Sequence, residues 1–280
     1  VAQKKIVSFG DSFVLGHELL DNHDGSKAWP GLIAQELGCQ YQTCAKVGCG
    51  NDVIAHQIYN YFSNNTVDNT LAVINWTWSM RWDFHLIESD AWVNLGPTCV
   101  PQYIDKYVST DEATRLLAFY RDYVGESIVW NHYRNLQTIY AVQNFLKEKN
   151  ITAIQTFIER DLFYPNFTRS RLEHYQAFKD STWPNISSDA EIETLPAEIK
   201  QEVDQDYYTD HSPDYVKTLR KLTVGPMQDF EGDTFLDWAA KNNFTITAPP
   251  GNHPLEEAHQ AAKLLWIKKY AQALDIDYEK

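Results

Sequence analysis

Apolar and polar positions along this chain switch between a β rhythm and a helical one. The run Lys5–Phe9 is short and apolar and predicts a strand, and Ser26 to Leu37 predicts a helix with Ser26 as N-cap and Gly38 as its stop. Gln40–Ala45 predicts a second strand. Asn51–Phe62 follows as a helix capped by Asn51, because Val53, Ile54, Ile58, Tyr61 and Phe62 fall on one helical face. Leu71–Asn75 is apolar enough to be buried on both faces, as a parallel strand is. Helical periodicity then covers about 110–123 and 128–148, before the strand Ile151–Phe157. Near the end, Thr234–Asn242 predicts a short helix, Phe244–Thr247 a strand and Pro254 to Leu274 a closing helix. Alternation of this kind predicts a doubly wound α/β sheet in a single domain, residues 1–280.

The region 160–232 breaks the rhythm. From Asp180 to Asp214 ten acidic residues face the single base Lys200, with Trp183, Tyr207, Tyr208 and Tyr215 scattered nearby. The stretch predicts a mainly helical or irregular insertion or cap over the sheet edge rather than one of its layers.

Composition narrows the partners. With 280 residues, 44% hydrophobic, and 13 Phe, 16 Tyr and 9 Trp, the chain has enough apolar surface for a core. A net charge of −14 repels nucleic acid and anionic membrane surfaces, so neutral or cationic ligands are the better match. No apolar run reaches the ~18 residues of a membrane helix, and the N-terminus leads into a strand rather than an export signal. The expected location is therefore cytoplasmic or otherwise soluble. Cys39, Cys44, Cys49 and Cys99 have neither zinc-knuckle nor dense disulfide spacing and are expected as free thiols, with a bridge within the first three as the alternative.

Candidate chemistry collects at the predicted strand ends. The first strand runs into Gly10-Asp11-Ser12, which holds a serine at the carboxyl edge of the sheet, where open α/β folds place their sites. A serine hydroxyl needs a general base within hydrogen-bond reach and donors for the oxyanion formed on an attacked ester carbonyl. After the second strand, Gly48-Cys49-Gly50-Asn51-Asp52 is a glycine turn opening a helix, so its amides can face negative charge. After the third comes Asn75-Trp76-Thr77-Trp78, and His253-Pro254 lies on a loop before the last helix.

Gly-Asp-Ser, then a glycine before Asn-Asp, then a polar turn, then His-Pro, in that order, resembles the SGNH/GDSL hydrolase superfamily. The resemblance implies a flavodoxin-like three-layer α/β/α fold with a central parallel sheet, and an ester hydrolase without metal or cofactor. It also implies Ser12 as nucleophile, the Ser12 and Gly48 amides as oxyanion donors, and His253 as base. Four short blocks carry it; the acidic region and most helices do not.

Two positions depart from the pattern. Thr77 stands where the family has an asparagine oxyanion donor, so Thr77 or the displaced Asn75 is the candidate there. Pro250 stands where the family has an aspartate, leaving a backbone carbonyl, Asp237 or Glu256 to orient His253. His259 is a rival base or a supporting residue behind His253. Trp76, Trp78 and Arg81, following the third strand, are candidate substrate contacts of the aromatic-plus-polar kind that suits sugar rings, as are Asp11 and Asn51. His17, His23, Asp21 and Asp24 look like a metal cluster, but their spacing fits a solvated loop better, and Asp204, Asp206 and Asp210 lack the glycine and glutamate of a calcium loop. The expected function is a serine esterase acting on a small-molecule or glycan ester, with carbohydrate O-acetyl groups one candidate. A non-catalytic glycan-binding module and an acyltransferase are the alternatives.

Overall fold

The computed structural model describes residues 3–19, 24–87, 90–97, 99–125, 127–164, 212–248 and 252–279. Its centre is a parallel sheet built from β1 (Lys5–Phe9), β2 (Gln40–Thr43), β3 (Thr70–Trp76) and β6 (Thr152–Phe157), in the order β2-β1-β3-β6. The strands are all parallel, with Ile6 paired to Tyr41 on one side and to Leu71 on the other, and Ile74 paired to Gln155. This is the start of the flavodoxin strand order, whose direction of winding reverses between β1 and β3.

Side chains alternate across the pleat. Val7, Phe9, Ala72, Ile74 and Trp76 face one apolar layer, while Ile6, Leu71, Val73 and Ile154 face the other. The first layer is covered by α3 (Asn51–Asn64) and α6 (Ile128–Glu148), and the second by α2 (Trp29–Glu36), α9 (Phe235–Lys241) and α10 (Glu256–Ala273). The fold is therefore a three-layer α/β/α sandwich. All seven residues of β3 are buried, as a strand covered by helices on both faces must be. Each such large aliphatic side chain contributes on the order of 1.5–3 kcal/mol.

Between β3 and α6 the chain makes an excursion in which periodicity predicted only the helix over about 110–123. An antiparallel hairpin of β4 (Trp82–Leu86) and β5 (Ala91–Leu95) leads to α4 (Pro101–Ile104) and α5 (Thr110–Phe119), which ends in a π turn over Tyr120–Val124. These elements have their own small core of Val93, Leu95, Ile104, Ala113, Tyr120 and Val124.

Several boundaries differ from expectation. Helix α2 starts at Trp29 with Ala28 as its cap, since Pro30 fits the first turn, where no amide is needed; Ser26 lies outside it. The cap of α3 is Gly50, so Asn51 is the first helical residue. The strand expected over Phe244–Thr247 reduces to a single antiparallel bridge, Ile246 with Pro254, because only the short segment before α10 runs beside it.

Of the expected insertion over 160–232, residues 165–211 lie outside the described residues. The rest is tied to the sandwich: α7 (Arg160–Phe163) continues from β6, and α8 (Asp214–Val224) packs on α6 with Val216 in the core. Met227 makes a parallel bridge to Gln155 at the outer side of β6. The stretch 212–232 is thus packed against the outer side of β6 and α6.

Cys39, Cys44, Cys49 and Cys99 form no disulfide. Among the described residues no helix is long and apolar enough to cross a membrane, and no cluster of side chains could hold a metal ion.

Candidate active site

The ends of β1 and β3 lie side by side at the point where the winding reverses. After β1, Gly10 has φ +155°, and a Cβ there would meet the Asn75 carbonyl oxygen at 3.0 Å, so the turn can pass this close to β3 only with glycine. Asp11 then caps the one-turn helix α1 (Ser12–Leu15): its Oδ1 accepts from the Phe13 amide at 3.1 Å. Ser12 opens that helix, so its N–H has no carbonyl one turn back to donate to.

His253 arrives from the far end of the chain. Its amide donates to Thr247 Oγ1 at 2.8 Å and its carbonyl accepts from the Thr247 amide at 2.9 Å, which fixes the segment before α10. The ring packs on Phe13 with centroids 4.8 Å apart. Its Nε2 is 2.7 Å from Ser12 Oγ. Burial is the largest influence on this imidazole and lowers its pKa below the ordinary histidine value, while the Asp11 and Glu18 carboxylates pull it back upward. His253 is therefore neutral at pH 7, the form that can take a proton.

The other ring nitrogen, Nδ1, has no hydrogen bond among the described residues. The carboxylate facing it is Glu18, with Oε1 at 3.5 Å. Neither acid proposed from the sequence fills this place. Asp237 is bound into the first turn of α9, where its Oδ2 accepts from Thr234 Oγ1 at 2.8 Å, and Glu256 is the first residue of α10. Pro250 lies outside the described residues. Glu18 was not singled out in the sequence, because it follows α1 directly and no family block marks it.

On the β3 side, Thr77 is held on three fronts. Its amide donates to Asn51 Oδ1 at 2.8 Å, its carbonyl accepts from Asn51 Nδ2 at 3.0 Å, and its hydroxyl donates to Asp11 Oδ2 at 2.7 Å. That hydroxyl proton is committed to Asp11 and not to a ligand. Asn75 is oriented from β6, where Thr156 Oγ1 donates to its Oδ1 at 2.8 Å, a bond that does not use its Nδ2 donors. Arg81 completes the cluster: one of its nitrogens, Nη1, reaches Asp11 Oδ2 at 2.7 Å, Thr77 Oγ1 at 2.8 Å and the Cys49 carbonyl at 3.0 Å. Asp11, Asn51 and Thr77 are all buried, so they act as framework rather than as open contacts.

The glycine turn after β2 is tied to the same cluster. The Lys46 amide donates to the Gly10 carbonyl at 2.9 Å, and the Cys49 thiol points at that same oxygen. Burial pushes the Cys49 thiol well above its ordinary pKa, which keeps it protonated and unreactive. Gly48 has φ +71°, and a Cβ placed there would meet nothing within 4 Å. The α3 terminus behind it is capped from β4, since Asp83 accepts from the Gly50 amide at 2.9 Å and from the Val53 amide at 3.0 Å.

Three further candidates take structural positions. Trp76 is fully buried, with Nε1 donating to Gln155 Oε1 at 3.0 Å, and offers no face to a substrate because β3 runs through it with helices on both sides. Trp78 is half-buried against the second apolar layer. His259 is buried against Phe235, and its Nδ1 accepts from the Trp29 amide at 3.1 Å, where α2 lacks a side-chain cap of its own. Burial lowers its pKa to about 3, so it stays neutral and is bound to α2 rather than to Ser12.

No protein-family model matches the chain, and no curated protein matches it. Among solved structures, it is similar to a member of the lipolytic protein G-D-S-L family from Veillonella parvula, at 10% identity over 96% of this chain and 99% of that one, with a TM-score of 0.44. An esterase from Pseudoalteromonas sp. is similar at 9% identity over 96% and 100%, with a TM-score of 0.43. An acetyl xylan esterase from the rumen bacterium Butyrivibrio proteoclasticus is similar at 10% identity over 98% of this chain and 65% of that one, with a TM-score of 0.44.

Proposed function

We propose that this chain is a serine ester hydrolase in which Ser12 is the nucleophile and His253 the general base. The observation that carries the reading is the 2.7 Å approach of His253 Nε2 to Ser12 Oγ across 241 positions of sequence, in front of a helix-start amide. A neutral imidazole that accepts at Nε2 carries its proton on Nδ1.

Ser12 Oγ attacks the ester carbonyl carbon as its proton passes to His253 Nε2. The carbonyl oxygen becomes an oxyanion, for which the Ser12 amide and the Gly48 amide are the donors. The tetrahedral intermediate then collapses, and the leaving alkoxide takes the proton from His253. Water next gives a proton to His253 as its oxygen attacks the acyl-Ser12 carbonyl, and the second tetrahedral intermediate collapses to the free acid while His253 returns that proton to Ser12 Oγ. No step calls on a metal or cofactor. Thr77 does not enter this scheme as a third oxyanion donor, because its hydroxyl proton goes to Asp11; the Asn75 Nδ2 group is the remaining candidate on the β3 side.

The acidic balance of the chain, −14, favours neutral esters over anionic ones, and a small acyl group on a carbohydrate alcohol fits that preference. The test is hydrolysis of p-nitrophenyl acetate together with fluorophosphonate labelling of Ser12. Ser12→Ala is expected to abolish both while leaving the unfolding transition in place. An intact chain that binds a sugar saturably and shows neither turnover nor labelling would establish the binding-module alternative instead; transfer to an added sugar in preference to water would establish the acyltransferase.

A further inference from the structure

Resting on the esterase reading, we propose that Glu18 is the positioning residue that orients the His253 imidazole, in place of the aspartate absent at position 250. The observations are geometric. His253 Nδ1 is buried and lacks a hydrogen bond among the described residues, yet its proton is the one that must be held if Nε2 is to accept from Ser12. The carboxylate of Glu18 stands 3.5 Å from that nitrogen, which is within ion-pair range and one small side-chain adjustment from a hydrogen bond. Catalytic hydrogen bonds in an unliganded site are often this long and tighten when the imidazole becomes charged.

The surroundings of His253 allow the assignment. Phe13 and His17 pack on the ring, Asp11 and Arg81 act on it from the Ser12 side, and Glu18 is the carboxylate at the Nδ1 edge. Asp11 is already bonded to Arg81 and Thr77, and Asp237 to Thr234. The position of Glu18 follows from the nucleophile turn itself: α1 is a single turn closed at Gly16, whose φ of +70° sends the chain back beside the loop that bears His253. Nucleophile and orienting acid would then come from one short segment, Ser12 to Glu18, and only the base from elsewhere.

Because Glu18 is partly open to water, its contribution should be smaller than the ~10⁴ in rate that a buried triad aspartate supplies. For Glu18→Gln in the full chain, kcat/KM for p-nitrophenyl acetate is expected to fall about 10-fold to 100-fold at pH 7, mostly in kcat. The acidic limb of the pH profile should move to lower pH, since a negative charge that favours the protonated imidazole has gone. Glu18→Asp keeps the charge and shortens the reach, so its rate falls while its limb stays near that of the unmodified chain. Turnover within about twofold of the parent and an unmoved limb in Glu18→Gln would overturn the proposal. Should Glu18→Gln fail to fold, an undiminished rate in Glu18→Asp would do the same. NMR titration of the His253 ring separates this proposal from the esterase reading: in a chain without turnover, a lower His253 pKa in Glu18→Gln still establishes the pairing, and an unchanged one refutes it.

Discussion

The Asp11 carboxylate and the Arg81 guanidinium form an ion pair at 2.7 Å in which Asp11 is completely shielded from water, one residue before Ser12. Removing one partner of such a pair leaves a buried charge without its counter-charge, which costs more than the pair itself contributes. Arg81→Met is therefore expected to destabilise the fold by about 3–5 kcal/mol. Arg81→Met combined with Asp11→Asn should recover part of that loss, because the orphaned charge is gone. Urea unfolding of the two variants checks this, and equal stabilities would show that the pair is not the source of the cost.

In the proposed esterase the neutral state of His253 sets the pH range of activity. Burial lowers its pKa, and the base works only when unprotonated, so kcat/KM should hold as pH falls past the ordinary histidine value of about 6.5 and decline only below it. The profile for p-nitrophenyl acetate between pH 4 and 8 measures this directly. A half-maximal point at or above about 7 would mean that the carboxylates of Asp11 and Glu18 outweigh burial.

How much of this could be read from the sequence depends on where each signal comes from. The parallel strands and their covering helices were legible because runs such as Leu71–Asn75 carry their burial in their own composition. The hairpin of β4 and β5 was not, since Trp82–Leu86 mixes buried and exposed positions and owes its register to a small separate core under α4 and α5. The same limit applies at the site. Gly10-Asp11-Ser12 announces a sharp turn after a strand, and His253 a loop before a helix, so both could be picked out; the structure puts them 2.7 Å apart. Trp76 looked like a surface aromatic because the end of β3 could be placed only to within a residue or two, and one further strand residue sends it into the core. Glu18 carried no signal, as its role depends on the return of the chain at Gly16.

His259 predicts how the fold responds to acid. Its pKa is about 3 in the folded chain and about 6.5 when unfolded, so protons bind the unfolded state first as pH drops. The stability due to its neutral burial is fully present above pH ~6.5 and is lost on descending toward pH ~3. At pH 5 the loss amounts to about 2 kcal/mol. His259→Gln, which keeps an oxygen acceptor near the Trp29 amide, should lower stability at pH 7.5 but reduce the difference between pH 7.5 and pH 5 by about that amount. Urea midpoints at the two pH values read it; an unreduced difference would mean that other groups drive the acid sensitivity.

Asp83 links the hairpin excursion to the glycine turn of the site. Its two oxygens accept from the amides of Gly50 and Val53 and from Asn94 Nδ2, so a single side chain on β4 anchors the start of α3. The anchoring is tight: a Cβ on Gly50 would lie 2.6 Å from Asp83 Oδ2. Asp83→Ala would leave two helix-start amides and one carboxamide without their acceptor, at a cost of about 2–4 kcal/mol. Because Gly48 sits two residues before the capped position, the same variant should also lower kcat by about 10-fold or more without changing the pH limb, as the proposed oxyanion donor loses its support. Asp83→Asn keeps a carbonyl oxygen and should lie between the two. If Asp83→Ala loses stability yet keeps full turnover, the turn after β2 is held in place without this cap, and Gly48 is not positioned through α3.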